Sequence, residues 1–462
     1  MRQLLRDIWD AIRGFEHDYT RISLSKAILL LAIPMVLEML MESIFAIVDM
    51  YFVSRLGDEA IAVVGLTESL MTMIYAVAVG MSMATTGIVA RRIGEKHDRA
   101  ASVSSSQAIL LGIIISLIIA IPGYLFANKI LLLMHAEEEV IKVGQGYTRL
   151  MLGGNVVIML LFINNAIFRS AGAPALSLRV LLIANFINII LDPCLIFGIG
   201  PFPELGVTGA AIATNIGRGV GVLYQFSMLF SKKSRIELYL RDFKLNIRIM
   251  WKLLFLSGGG ILQHLIATFS WIILYRILAE FKSEVIAGYT IALRIFVFFL
   301  LPAWGISNAV STLVGQNLGA KNPARAERAV WQTSLVCSIY MAIIMLLFLF
   351  IPDILVYLFS EPGKHSYNVA ITCLKIMGMG MIFYGFEMIM AQAFNGAGDT
   401  YTPTLLNFVG FWVIQIPLAY CLAKTVGMRE NGVFFAILIS EGILAIMGIL
   451  VFMRGRWKTR AV

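Results

Sequence analysis

Three acidic residues lie in a stretch of the chain that is otherwise almost entirely apolar. The stretch reads PMVLEMLMESIFAIVDMYFV, and its acids are Glu38, Glu42 and Asp49. In an α-helix, residues four and seven positions apart lie on the same face, so the three carboxyl groups point to one side. A charge at the centre of a bilayer costs roughly 3 kcal/mol even on the lenient insertion scale. This face must therefore look into a cleft or onto a protein partner rather than into lipid.

A second polar group occurs in the segment NFINIILDPCLIF. Asn188 and Asp192 are four residues apart there and share a helix face, and Thr214 in GAAIATN could add a hydroxyl group. Together with Asp49, these side chains could bind a sodium ion or hold a proton whose affinity depends on hydration. We predict a cation-coupling site at Asp49, Asn188, Asp192 and Thr214, in which a sodium ion would take the first three as ligands. The alternative for Asp192 is a helix-end cap or a turn before Pro193.

The two halves of the chain resemble each other at an offset of about 225 residues, far longer than the period of a solenoid repeat. DEAIA matches SEVIA, VARRIGEKHDRAA matches VGQNLGAKNPARAERA, RSAGAP matches NGAGDTYTP, and LGVTGAAIAT matches NGVFFAILIS. The positions equivalent to the three acids hold Gln263, Ala267 and Leu274. A carboxylate that served packing would be needed in both copies, so we predict a functional role confined to the first half. For Glu38 the alternative is a neutral buried acid with a hydrogen-bonded partner.

Further polar residues within apolar segments are candidates for a substrate cleft. The sequence favours Glu68, Glu387 and Glu441 as local partners for polar groups, since Arg294, Arg218 and Lys375 are available within the spans. Glu387 could still attract a cationic substrate from the second half. Asn164 and Asn165 either line the cleft or form hydrogen bonds between helices. The full set of cleft candidates is Glu38, Glu42, Phe45, Asn164, Asn165, Gln263 and Glu387.

The composition decides the class of protein. The 462 residues are 59% hydrophobic and 14% charged, with a mean hydropathy of +0.84, whereas soluble domains have roughly 45–50% apolar and about 25% charged residues. Because backbone groups in lipid must be satisfied within the segment, apolar runs of this length are helices. The four cysteines stand singly and lack the spacing of metal ligands. The sequence predicts an all-α polytopic membrane protein.

Short polar segments divide the chain into twelve apolar spans. Six spans per half is an even number, so both halves enter the membrane in the same direction. We therefore predict two six-helix bundles related by a pseudo-two-fold axis along the membrane normal. The predicted regions are an amphipathic N-terminal helix (1–23), an N-lobe (24–230), a cytoplasmic linker (231–248), a C-lobe (249–454) and a cytoplasmic tail (455–462).

Basic residues predict the orientation. Both termini, the linker and the loops ARRIGEKHDR and GAKNPARAER fall on one side and carry most of the Lys and Arg residues. By the positive-inside rule this side is cytoplasmic, so we predict an integral protein of the cytoplasmic (inner) membrane with both termini inside. The N-terminal helix would lie on the membrane surface through an apolar face, with a mobile tail as the alternative. That face consists of Leu4, Leu5, Ile8, Trp9, Ile12 and Phe15.

The chain resembles the multidrug and toxic compound extrusion (MATE) family. The resemblance rests on AIVDMYFVSRLG, NIILDP, LVGQNLGAKNPARAERA and GAGDTYTP in this order, and it covers essentially the whole chain after the N-terminal helix. It implies an alternating-access antiporter that exports amphipathic, often cationic compounds in exchange for H⁺ or Na⁺. In the DinF-like prokaryotic branch, motif matching places the cation pocket at Asp49, Asn188 and Asp192, and less directly at Thr214. The sodium-driven branch carries a glutamate in its seventh span, where this chain has ILQHLIATFSW with Ala267, which favours the DinF-like branch.

Other functions receive less support from the sequence. The runner-up is a lipid-linked oligosaccharide flippase of the same superfamily, for which we would expect more cations in the cleft. The GAGD motif ending at Asp399 fits an intramembrane aspartyl protease, but it lies in a predicted loop. No P-loop, HExxH or nucleophile elbow is present. We therefore expect no enzymatic activity, no cofactor beyond the coupling ion, no nucleic-acid partner and a monomer that contacts small molecules and the bilayer.

Overall fold

The computed structural model describes residues 2–14, 18–231 and 235–460, and this part of the chain is helical without any β-strand. The helices are α1 (Arg2–Arg13), α2 (Leu24–Val53), α3 (Asp58–Gly94), α4 (Asp98–Leu133), α5 (Glu138–Gly153), α6 (Asn155–Ala171), α7 (Pro174–Phe197), α8 (Val207–Leu229), α9 (Ile247–Leu278), α10 (Ser283–Gly319), α11 (Pro323–Phe350), α12 (Pro352–Tyr357), α13 (His365–Gly378), α14 (Met381–Gly396), α15 (Tyr401–Thr425) and α16 (Glu430–Met453).

These helices form the twelve predicted membrane spans, and the predicted fold class is confirmed. In the described residues, ten helical segments are long and apolar enough to cross a bilayer, with α5 and α6 counted as one. The pair α13 and α14, bent by 55°, supplies an eleventh span. The twelfth, α8, has 23 residues but lower hydropathy because glycine, threonine and an arginine interrupt its apolar residues. It packs along α7, which shields this less apolar surface.

The first helix is shorter than the predicted N-terminal region. The N-terminal helix ends at Arg13, earlier than the predicted limit of residue 23, and Trp9 is 55% exposed. Phe15 and the side chains of Leu4 and Leu5 lie outside the described residues. Residues 232–234 of the predicted linker and 461–462 of the tail also lie outside. The predicted lobe boundaries and the surface position of this helix remain predictions.

Two helix crossings join the halves and follow the repeat. Gly80 in α3 and Gly305 in α10 are equivalent positions, 225 residues apart. A Cβ atom on Gly80 would lie 2.8 Å from the Ser257 carbonyl oxygen of α9, and one on Gly305 would lie 2.8 Å from the Met35 carbonyl oxygen of α2. Only glycine permits backbones to approach this closely. The two contacts are equivalent under the repeat: each half supplies one glycine and one facing helix.

A second pair of equivalent glycines brings the two halves together at the C-terminal ends of α3 and α10. A Cβ atom on Gly94 would overlap the carbonyl oxygen of Gln316, and one on Gly319 would overlap the carbonyl oxygen of Arg91. These positions again differ by 225 residues. The end of the molecule that carries the basic loops is therefore held shut by direct backbone contact between the halves.

We expect Gly319→Ala to destabilise the protein by about 1–3 kcal/mol, because the new methyl group has no room unless α3 and α10 separate. Thermal unfolding of the purified protein measures the change. Gly65→Ala is the matched control, since Gly65 lies in α3 with no atom within 4 Å of the added carbon. Alanine should stabilise the helix there by up to about 1 kcal/mol. Equal unfolding temperatures for the two variants would contradict the close crossing.

Candidate cation and substrate sites

Two cavities meet in the middle of the molecule, between the halves. The first-half cavity has a volume of roughly 300 Å³ and is lined by Glu38, Glu42 and Arg169, among others. The second-half cavity has a similar volume of roughly 300 Å³ and contains Glu387 and Glu441 in its wall. Both cavities share the side chains of Met83, Leu301, Trp304 and Gln392. Together they form one cleft with a chamber in each half.

Glu38 is held by an ion pair. Its side chain is 6% exposed, and its Oε1 accepts hydrogen bonds from Arg169 Nη1 at 3.2 Å and Asn165 Nδ2 at 3.1 Å. Arg169 also donates from Nη2 to the Ser82 hydroxyl at 3.2 Å. The sequence left open whether this acid acts in the cleft or has a structural partner. In the structure it both lines the cavity and has a cationic partner.

Glu42 is paired with a different arginine. Arg218 Nη2 lies 3.0 Å from Glu42 Oε1, while its Nη1 donates to the Tyr75 hydroxyl at 3.0 Å. The guanidinium group also stands 4.9 Å from the centre of the Phe45 ring, a cation–π distance. Phe45 is buried beneath this arginine. Glu42, 39% exposed at its side chain, therefore faces the cavity with its charge already compensated.

The predicted cation-coupling residues of α7 and α8 are brought together. Asn188 Nδ2 lies 3.2 Å from Asp192 Oδ1 and 3.3 Å from the Thr214 hydroxyl oxygen, and it donates to both. All three side chains are buried. Asp192 lies inside α7, five residues before its end, so it is not a helix-end cap. Asp192 Oδ2 and Asn188 Oδ1 are buried without a hydrogen-bond partner.

Asp49 of α2 belongs to the same electrostatic group. Its Oδ1 is buried without a hydrogen-bond partner. Its charge interacts with those of Asp192, Glu68 and Arg218. Unlike the other two acids of α2, Asp49 has no ion pair with Arg or Lys among the described residues.

The group offers three buried acceptor oxygens without a donor: Asp49 Oδ1, Asn188 Oδ1 and Asp192 Oδ2. A buried acceptor without a partner is unfavourable by about 1–3 kcal/mol, more if it is charged. A proton or a hard cation satisfies such oxygens. No group of three His, Cys, Asp or Glu side chains in the described residues could hold a metal ion. A sodium ion would therefore need the amide and hydroxyl oxygens as ligands, whereas a proton needs one carboxylate.

The two asparagines of α6 have different surroundings. Asn165 lines the first-half cavity and accepts at Oδ1 from Gln225 Nε2 at 2.7 Å. Asn164 is fully buried and donates to Gln225 Oε1 at 3.1 Å. Gln225 of α8 thus connects both asparagines. Asn164 acts between helices, while Asn165 also reaches the cavity.

The second-half cavity contains acids without cationic partners. Glu387 and Glu441 interact electrostatically with each other, and neither forms an ion pair with Lys or Arg among the described residues. Glu441 is 2% exposed, and its Oε2 lacks a hydrogen-bond partner. Gln263 and His264 lie in the same wall, with the Gln263 Oε1 also unpartnered. The second-half cavity therefore has acidic and aromatic side chains in its wall, and no Lys or Arg among the described residues compensates the charge of its acids.

Sequence reasoning missed three residues that shape the cleft. Arg169 lies in an apolar segment, and this placement alone could have drawn attention to it as a partner for an acid. Trp304 and Gln392 line both cavities. Neither stands in a polar pattern that would mark it, because their role depends on where α10 and α14 cross the cleft.

The comparisons with known proteins agree with this architecture. A family model described as MatE matches residues 34–194 and again 261–421, one copy in each half. The chain is 26% identical over 444 residues (95% of this chain, 94% of the relative) to "Probable multidrug resistance protein NorM" of Thermotoga maritima. It is 25% identical over 438 residues (93% of this chain, 94% of the relative) to "FAD transporter" of Shewanella oneidensis.

A solved structure resembles the whole fold. It is described as "Outward-facing conformation of a multidrug resistance MATE family transporter of the MOP superfamily". The TM-score is 0.88 at 26% identity, and the match covers 96% of this chain and 98% of the other. The two-bundle layout is therefore shared with an experimentally determined transporter.

We expect Arg169→Met to destabilise the protein by about 3–5 kcal/mol, because it leaves the buried Glu38 carboxylate without its cation. The double variant Glu38→Leu with Arg169→Met should recover most of this loss, since an apolar pair of similar volume has no charge to bury. Thermal unfolding of the two purified variants checks this. A double variant no more stable than the single one would show that the ion pair is not what Arg169 provides.

Proposed function

The chain belongs to the MatE family, and we propose that it is a secondary active multidrug exporter driven by an inward flow of H⁺ or Na⁺. One observation carries the proposal: Asp49, Asn188 and Asp192 each have a buried oxygen without a hydrogen-bond partner, and Arg218, which interacts with Asp49, also holds Glu42 in the wall of the first-half cavity. The names of its relatives, which include a probable multidrug resistance protein and multidrug export proteins, support an exporter of small molecules.

The closed end of the cleft indicates the direction in which it opens. The basic loops place the crossing of Gly94 and Gly319 on the cytoplasmic side under the positive-inside rule. Both termini then lie in the cytoplasm, and the protein is an integral part of the cytoplasmic membrane. With this end shut, the cleft faces outward. The likeness to an outward-facing transporter supports the same assignment.

In the proposed cycle, a cation from outside enters the Asp49–Asp192 group. A unit charge moving inward through 100 mV gains about 2.3 kcal/mol. Cation binding removes negative charge that acts on Arg218, which also holds Glu42 in the first-half cavity. The cation and the substrate chamber are thus coupled through one guanidinium group. The absence of an acid in the ILQHLIATFSW segment of α9 supports the DinF-like assignment of the cation to the first half.

The second-half cavity supports a cationic, aromatic class of substrate. Glu387 and Glu441 supply negative charge without a resident cation, and Trp271, Trp304 and Phe411 supply ring faces. Aromatic faces and carboxylates together bind amphipathic cations. The flippase alternative has less support, because the arginines near the first-half cavity are already paired with Glu38 and Glu42.

We expect Asp49→Asn and Asp192→Asn each to abolish drug resistance in cells that lack other pumps while leaving the amount of protein in the membrane unchanged. The physical reason is that an amide cannot take up a proton or offer a full charge to sodium. Asp353→Asn is the control, because Asp353 is an exposed acid at the start of α12. Full resistance in either site variant would refute the cation site.

Transport in vesicles assigns the coupling ion and tests the proposal as a whole. A pH gradient and a sodium gradient are imposed separately on vesicles that contain the wild-type protein. Drug movement driven by only one of them names the ion. Movement driven by neither would overturn the antiport proposal, and envelope defects without drug sensitivity in a deletion strain would favour the flippase.

We expect Glu387→Gln with Glu441→Gln to weaken the binding of a cationic drug by about tenfold, which corresponds to ~1.4 kcal/mol of charge attraction. The binding of a neutral amphipathic compound of similar size should change little. Fluorescence titration of the purified double variant with both ligands measures the difference. An equal loss for both ligands would mean that the acids serve the shape of the cavity rather than its charge.

A further inference from the structure

A third cavity lies at the closed end of the molecule and is built by both halves. Its volume is roughly 860 Å³. The end of α3 contributes Arg91, Arg92 and Lys96, and the end of α10 contributes Lys321. Arg21, from the segment before α2, completes the basic wall.

The acids near this cavity do not balance its cations. Glu95 is the one carboxylate that the described residues place in the wall, and it pairs with Arg92 at 2.7 Å and more loosely with Arg91 at 3.9 Å. Arg21 is paired with Asp18 at 3.5 Å. Lys96 and Lys321 form no ion pair among the described residues. The cavity therefore has a clear excess of positive charge.

The two lysines occupy equivalent positions with the same unusual backbone. Lys96 has φ of 59° and Lys321 has φ of 57°, and the two positions are 225 residues apart. Glycine adopts this left-handed conformation freely. For other residues the conformation lowers the stability of the fold by about 1–3 kcal/mol. The backbone at both helix ends would be better served by glycine. His135 and Arg429 adopt the same backbone outside the cavity, so this conformation does not by itself indicate a ligand; it places the two ammonium groups at equivalent points of the wall.

Arg91 adds an independent indication of a ligand. It lines the cavity, and its Nη1 is buried without a hydrogen-bond partner. Cations near a helix C-terminus are favoured by the helix dipole, which accounts for arginines in the last turn of α3. The dipole does not account for a buried donor without an acceptor.

We propose that this cavity binds a phosphate group, whose oxygens accept hydrogen bonds from Arg91, Lys96 and Lys321. Arginine and lysine are the donors that proteins use for this anion. Closing the end of the molecule brings cations of the two halves together, and a phosphate between them offsets their repulsion. The phosphate could belong to an anionic lipid headgroup or to a soluble phosphate compound.

Binding at this site has a consequence for the conformation. Because the two halves each supply part of the wall, the complete site exists only while the ends of α3 and α10 are in contact. A ligand that binds one conformation better than another shifts the population towards it. A bound phosphate therefore favours the outward-open state. This consequence rests on the proposed alternating access, whereas the binding itself does not.

The test uses the full-length protein and a variant designed to fold. Lys96→Gly with Lys321→Gly removes both ammonium groups and places glycine where φ is positive, so the variant should unfold at an equal or higher temperature without added anion. Arg248→Gln is the control for a lost surface cation, because Arg248 is exposed and stands outside the cavity wall.

Binding is measured as a shift in the unfolding temperature with two probes. One arm adds inorganic pyrophosphate to protein in phosphatidylcholine nanodiscs, and the other replaces part of this lipid with phosphatidylglycerol. We expect at least one probe to stabilise the wild type and the Arg248→Gln control but not the double variant. A response to pyrophosphate alone assigns a soluble ligand, and a response to phosphatidylglycerol alone assigns a lipid. No response in either arm, or an equal response in the double variant, would overturn the site.

The conformational consequence is measured separately. Spin labels on Glu138→Cys and Glu361→Cys, in a chain whose four native cysteines are replaced by alanine, report the distance between the halves at the open end. The effective probe should raise the ratio of long to short distances by about tenfold in the wild-type background. It should leave the ratio unchanged in the double variant. Binding without a change in this ratio would retain the site but refute its coupling to the lobes.

Discussion

The cost of burying an unpaired charge within the membrane organises the centre of this protein. Glu38 and Glu42 satisfy that constraint with Arg169 and Arg218, each at hydrogen-bond distance. Asp49 and Asp192 do not: each has a buried oxygen without a donor, and their charges interact. Under the proposed function, a mobile cation from outside satisfies these oxygens. The paired acids therefore shape the cleft, while the unpaired ones form the proposed site of the coupling cation.

Helix α2 brings these two kinds of acid onto one face. Glu42 and Asp49 lie two helical turns apart in α2, and Arg218 of α8 interacts with both. A cation that neutralises Asp49 changes the balance of attraction on this arginine, which is also held by Tyr75. Neutralising Asp49 can therefore affect Glu42 in the first-half cavity through Arg218 alone.

The sequence was sufficient to predict the spans, the repeat and the grouping of Asn188, Asp192 and Thr214, because hydropathy and helical spacing depend on local order. It could not identify the partners of the acids. Arg169 is 131 residues from Glu38, and Arg218 is 176 residues from Glu42. The sequence suggested Arg218 as a partner for other acids within the spans. Such pairings depend on how the helices cross, and that is decided by close backbone contacts that a pattern of polar residues does not reveal.

The repeat divides the molecule into features that both halves keep and features that only one half has. Gly80 and Gly305, like Lys96 and Lys321, occur at equivalent positions and lie where the halves meet. The acids of the cleft break the symmetry, with compensated charges in one chamber and uncompensated charges in the other. A pseudo-two-fold axis constrains how two bundles can close on each other, so the contacts that meet at this axis must match. Each chamber extends from the shared side chains into its own half, and there the copies differ. Symmetry therefore matches the contacts by which the two halves meet, while the loss of symmetry gives the two chambers different charges.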